Sequence, residues 1–127
     1  MEIIENDFIK FWKEDGILFS EYKKPTTITL ENAREVVRMR HDISAGKNMY
    51  WCYDLAKLKS ISSDAREYVT KEGQQYLSAS AMIFNSHITK FIFNAYFTIN
   101  KPEVPTKAFR TVAEGYKWLK EIRDTKK

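Results

Sequence analysis

Apolar and polar positions roughly alternate at the start of the chain. Phe8-Ile9-Lys10-Phe11-Trp12-Lys13 and Ile17-Leu18-Phe19-Ser20-Glu21-Tyr22 both have strand character, and Glu14-Asp15-Gly16 lies between them. Asp-Gly between two such runs predicts a β-hairpin, because glycine accepts the positive φ of a tight turn. Glu2 to Glu5 either extends the first strand or forms a short one of its own. Pro25 breaks the pattern. Leu30, Ala33, Val36, Val37, Arg40 and Ile43 then recur at the spacing of one buried helical stripe, with Arg34, Glu35, Arg38 and His41 off it. Thr29 and Asn32 form an imperfect cap after Thr27-Ile28, and Gly46 ends the helix.

The run Met49-Tyr50-Trp51-Cys52-Tyr53 is continuously apolar, as in a central strand covered on both faces, and Asp54 closes it. Ser62-Ser63-Asp64 offers N-cap oxygens for a helix reaching Gly73. Ala79 to Phe84 is a strand ended by Asn85-Ser86. His87 to Asn100 has helical spacing, with Ile88, Phe91, Ile92, Ala95 and Ile99 on one face. Pro102 and Pro105 then impose a loop. Thr106 to Phe109 is a last strand. Thr111-Val112-Ala113-Glu114 is a capping box for a final helix with Ala113, Tyr116, Leu119 and Ile122 inward. The order β-β-α-β-α-β-α-β-α predicts a single α/β domain over 1–127. Its sheet should be mixed, an antiparallel hairpin continued by parallel strands with right-handed crossovers, and it should carry about four α-helices.

Composition narrows the function. The chain has 127 residues, 43% of them hydrophobic, enough for a core without staples. Its single cysteine, Cys52, excludes an internal disulfide and fits a reducing compartment. The start MEIIENDF is acidic where a signal peptide is basic, and no stretch reaches the roughly 20 apolar residues of a membrane span. A cytoplasmic chain with no membrane span is expected. The net charge is +4, and the basic residues from Lys107 onward are diluted by Glu114, Glu121 and Asp124. That reads as a solvated helix face, so no nucleic-acid partner is expected.

Candidate chemistry is sparse. His41, Cys52 and His87 show no metal-ligand spacing. Cys52, mid-strand, reads as a small buried hydrophobe and a poor nucleophile. Gly16, Gly46, Gly73 and Gly115 stand too far apart for a phosphate-cradling loop. No catalytic residue, metal or cofactor is expected. Ligands of open α/β sheets sit at the carboxyl ends of strands, where this chain carries Asp54, Ser60–Ser63 and Asn85. These residues equally suit helix capping and loop solvation. On the 87–100 helix, Phe93 and Phe97 point away from the apolar face, with Tyr96 between. Two apolar sides require a second covering layer, from the chain itself, a partner protein or, most simply, a second copy in a homodimer. An apolar ligand such as a lipid beneath this helix is the alternative.

The opening Phe8-Ile9-Lys10-Phe11-Trp12-Lys13-Glu14-Asp15-Gly16-Ile17 resembles the SpoIIAA-like, STAS-related proteins of bacteria, as do Tyr53-Asp54-Leu55, Asp64-Ala65-Arg66-Glu67-Tyr68 and Asn100-Lys101-Pro102-Glu103-Val104-Pro105-Thr106. The resemblance covers nearly the whole chain and implies a STAS-like mixed sheet. It also implies a non-enzymatic regulatory or protein-interaction module whose protein partner is not specified. In anti-sigma-factor antagonists an Asp-Ser-Ser-Gly signature follows the corresponding strand, and its serine is phosphorylated. Counted without gaps, the signature falls on Ser62-Ser63-Asp64-Ala65, with the phosphorylated position at Asp64, or at Ser63 with a one-residue slip. The glycine is Ala65 here. A small-molecule or lipid-binding domain, using the strand ends or the space beneath the third helix, is the second expectation.

Overall fold

The structure, a computed structural model, describes residues 2–84 and 104–125. Strand β1 (Ile3–Glu5) pairs antiparallel with β2 (Ile9–Glu14), and β2 with β3 (Ile17–Tyr22). Asp15 and Gly16 have φ of 53° and 74°, the two left-handed residues of a tight hairpin turn, as Asp-Gly predicts. From β3 the sheet turns parallel, through β5 (Met49–Asp54) and β7 (Leu77–Ile83) to β8 (Thr106–Phe109). The six-stranded order is β1-β2-β3-β5-β7-β8, so the expected mixed sheet is present and β5 is central.

Two short strands were not visible in the apolar pattern. β4 (Thr26–Ile28) and β6 (Leu58–Ile61) pair in parallel as a separate two-stranded sheet. Each is too short to show a period, and its partner lies about thirty residues away in sequence. Helix α1 spans Leu30–Ser44, and Thr29 accepts from the Asn32 N–H at 3.2 Å as its N-cap. Its C-cap, Ala45, is left-handed at φ 52°, followed by Gly46 at 78°. Helix α2 spans Ser63–Lys71, capped by Ser62, and a 3₁₀ turn runs from Glu72 to Gln74. Helix α3 spans Val112–Thr125 behind the expected cap, with Thr111 Oγ1 3.0 Å from Glu114 Oε1 and accepting the Glu114 N–H at 3.2 Å. Three α-helices are therefore described where about four are expected. The expected helix from His87 to Asn100 lies outside the described residues.

The sheet is covered on both faces. Ile9, Phe11 and Leu18 face Val36, Met39 and Ile43 of α1, and Met82 faces Ala33 and Ala65, with Ile28 and Leu58 of the small sheet closing that end. On the other face Ile17, Phe19, Cys52, Ala79, Ala81 and Ile83 meet Leu119 of α3. The inward face of α3 differs from the expected one. Ala113 is exposed and Gly115 is buried, because the helix crosses so close to the sheet that only glycine fits. A Cβ at 115 would lie 2.8 Å from Ile83 Cδ1 and 3.1 Å from Ala81 Cβ.

Candidate functional site

Along β3 and β5, Ser20, Tyr22, Trp51 and Tyr53 alternate onto the face beneath α1 and α2, with Ser80 of β7 beside them. The two helices do not close fully on this face. They leave a cavity of about 80 Å³ between sheet and helices. Ala33 and Val36 of α1, Arg66, Val69 and Thr70 of α2, and Ile28, Leu58 and Ile61 of the small sheet complete its wall. The wall is mainly aliphatic and aromatic, with a few polar groups, the usual make-up of a binding site.

The polar groups of the floor are ordered by one another. Thr106 Oγ1 donates to the Val104 carbonyl at 3.1 Å, so it can only accept from Ser80 Oγ, 3.1 Å away. The Ser80 hydroxyl also lies beside the Tyr53 phenol and partly offsets the rise that burial imposes on its pKa. Ser20 Oγ accepts the Trp51 indole N–H at 3.0 Å. Burial pushes both the Tyr22 and Tyr53 phenols well above the ordinary tyrosine range, so both stay protonated.

Arg40 of α1 lies behind Trp51 and is fully buried. Its guanidinium carbon is 5.3 Å from the Trp51 ring centroid. It donates to three main-chain carbonyls of the α2–β7 connection: Gly73 at 2.8 Å, Gln75, and Tyr76 at 3.4 Å. Among the described residues it meets no carboxylate. Burial lowers its pKa to about 10, which still leaves it charged at neutral pH.

The residues singled out from sequence sit elsewhere. Asp54 ends β5, and its Oδ1 accepts the Ala56 N–H at 2.9 Å, closing the turn toward β6. Ser62, Ser63 and Asp64 are exposed at the start of α2. Ser62 accepts the Ala65 N–H at 3.3 Å and donates to Asp64, and that bond holds the Asp64 carboxyl below its usual range. Ser63 Oγ accepts from Arg66 Nη2 at 3.3 Å. None of these four lines the cavity. Asn85, Phe93, Tyr96 and Phe97 lie outside the described residues. The cavity floor escaped the sequence reading, although Ser20 and Ser80, polar residues inside strand runs, were the available signal. Cys52 lies on the opposite sheet face, buried, and its thiol is pushed up to about 12 by that burial.

A family model described as a domain of unknown function, DUF7793, matches residues 11–123. The chain belongs to the DUF7793 family. Among solved structures, this DUF7793 chain is similar to the crystal structure of an uncharacterised DUF3478-family protein with a SpoIIAA-like fold from Shewanella loihica PV-4. The TM-score is 0.63 at 15% sequence identity, covering 93% of this chain and 99% of that one. At that identity the likeness concerns the fold, which is SpoIIAA-like, as the sequence resemblance implies. No curated protein matches the chain. No helix among the described residues is long and apolar enough to cross a membrane.

Proposed function

We propose that this chain is a non-catalytic binding module that encloses a small ligand between its sheet and the α1–α2 pair. The observation that carries the reading is the cavity, walled by side chains from the sheet, both helices and the small β4–β6 sheet. Its floor groups are two phenols held neutral, a Ser20 hydroxyl that accepts from the Trp51 indole and a Ser80 hydroxyl paired with Thr106, an arrangement for holding a ligand rather than for attacking one. Native mass spectrometry of freshly purified protein, with ¹⁵N–¹H spectra recorded on a mixture of small acids, alcohols and amines, tests it. Perturbations clustered at Ser20, Tyr22, Tyr53 and Arg66 are expected. A chain that carries no mass adduct and whose spectrum is unmoved by every probe would sink the reading.

A regulatory, protein-interacting role of the STAS kind is the second reading, favoured by the SpoIIAA-like fold and by Ser63. A phosphate on Ser63 would stand beside the Arg66 guanidinium and at the positive end of α2. On Ser62 it would face the Asp64 carboxylate instead. Incubation with host lysate and ATP, followed by phosphosite mapping, should place label on Ser63; label confined to other residues excludes the switch. A homodimer through Phe93, Tyr96 and Phe97 is part of this reading and is checked by light scattering on wild type and a Phe93→Asp/Phe97→Asp variant.

A further inference from the structure

Polar groups around the cavity bond to other groups of the protein. Ser20 Oγ accepts the Trp51 indole N–H at 3.0 Å, and Ser80 Oγ pairs with Thr106 Oγ1 at 3.1 Å. Thr70 Oγ1 donates to the Arg66 carbonyl at 2.9 Å, and Gln74 Oε1 accepts the Val104 N–H at 3.3 Å. Arg66, the one ionised side chain on the wall among the described residues, donates to the Ile61 carbonyl at 3.2 Å and to Ser63 Oγ at 3.3 Å. A guest without polar groups therefore costs none of these bonds. The Tyr22 and Tyr53 phenols stay protonated and bring no charge. Much of the remaining wall is carbon. Ile28, Val36, Leu58 and Val69 face the floor, where the Trp51 and Tyr53 rings lie 4.4 Å apart between centroids.

We infer that the cavity takes a small uncharged apolar molecule, a compact aliphatic body carrying at most one neutral polar group. The inference rests on the reading of the cavity as a ligand site and adds the chemical class. An ion would leave water for a space whose charged side chain already has partners. Burying a charge without a new partner costs far more than burying a few carbons gains. Size limits the body. The cavity of about 80 Å³ is near half of the ~150 Å³ cavity known to admit benzene, which suits a body of roughly three or four carbons. The aliphatic wall from Ile28, Leu58 and Val69 suits a branched chain.

Isobutanol, isobutyrate and isobutylamine share one branched body and differ in head group, which at neutral pH is uncharged, anionic and cationic in turn. Each is titrated into the full chain while ¹⁵N–¹H spectra are recorded, and xenon under pressure reports the cavity by itself. Isobutanol and xenon should both give saturable shifts at Ser20, Trp51, Leu58 and Val69. Isobutanol should bind at least about tenfold more tightly than either ion. Val69→Phe, whose ring grows into the cavity, should abolish both sets of shifts. Either ion binding as tightly as isobutanol overturns the neutral class and leaves the cavity reading standing. Xenon binding without isobutanol binding does the same. Binding of neither xenon nor any of the three at these residues, in the folded wild-type chain, overturns both readings. Isobutanol shifts that persist in a folded Val69→Phe chain also overturn both.

Discussion

Replacing Gly115 by alanine sets two opposed effects against each other. In an exposed helix interior, alanine in place of glycine gains about 1 kcal/mol by restricting the unfolded chain. Here the new methyl would come within 2.8 Å of Ile83 Cδ1, 3.1 Å of Ala81 Cβ and 3.4 Å of Cys52 Sγ. The Ile83 tip can rotate aside, but Ala81 Cβ moves only with the backbone of β7. Overpacking of this kind costs typically about 1–3 kcal/mol. The expected net result of Gly115→Ala is therefore a loss of about 1 kcal/mol, or a fall of about 4 °C in Tm for a chain of this size. Urea unfolding followed by tryptophan fluorescence measures it. A double-mutant cycle with Ile83→Val isolates the cause, since valine lacks Cδ1. Ile83→Val alone should cost about 1 kcal/mol, and clearly less in the Gly115→Ala background. Stabilisation by Gly115→Ala, or strict additivity in the cycle, would refute the claim that α3 is seated by the absence of a side chain.

Three further outcomes follow from the buried polar groups. Arg40→Met should leave three carbonyls of the α2–β7 connection without donors and cost roughly 3 kcal/mol or more, read from urea midpoints; a loss under ~1 kcal/mol would mean water replaces the guanidinium. Burial, and then the neighbouring Arg40 charge, hold the His41 imidazole below its ordinary value of 6.5, so the fold prefers it neutral. Below pH 6.5 the unfolded chain takes up this proton first. Stability should thus be unaffected by His41 above that pH and should fall as the pH drops from 6.5 through the folded value. His41→Gln should flatten that part of a Tm-against-pH curve, and an unchanged slope would exclude it as the cause. Cys52, with its thiol raised to about 12, should resist iodoacetamide in the native chain and react at once in urea; rapid native labelling would show that α3 opens.

What the sequence made legible was whatever is written over short distances. Asp15-Gly16 announces its hairpin because two left-handed residues in a row are costly for most other pairs. Thr29, Ser62 and Thr111 announce helix starts for the same local reason. Gly115 reads as a gap in an apolar stripe, because a close approach depends on what stands opposite. The cavity was hidden by the double coverage of the sheet: Ile17 to Ser20 are all buried, so alternation could not say that Ser20 faces α1 and α2 while Phe19 faces α3. Trp51 and Tyr53 were legible as core, but their shared orientation with Tyr22 needed the β3–β5 register.

The Arg40 clamp bears on how sequences of this family are free to drift. It grips Gly73, Gln75 and Tyr76 through their carbonyls alone, so the contact is indifferent to which side chains those positions carry. The connection into β7 can accept substitutions at Gln75 as long as its main chain keeps the same path, while Tyr76, left-handed at φ 58° and packed edge-on to the His41 ring, is held by its own backbone, and position 40 has no latitude at all. Lysine is too compact a donor to span three carbonyls, and an aliphatic residue leaves all three bare. An alignment of DUF7793 members should therefore show arginine fixed at position 40 opposite a variable position 75; variation at 40 with the connection unchanged would show that the clamp is dispensable.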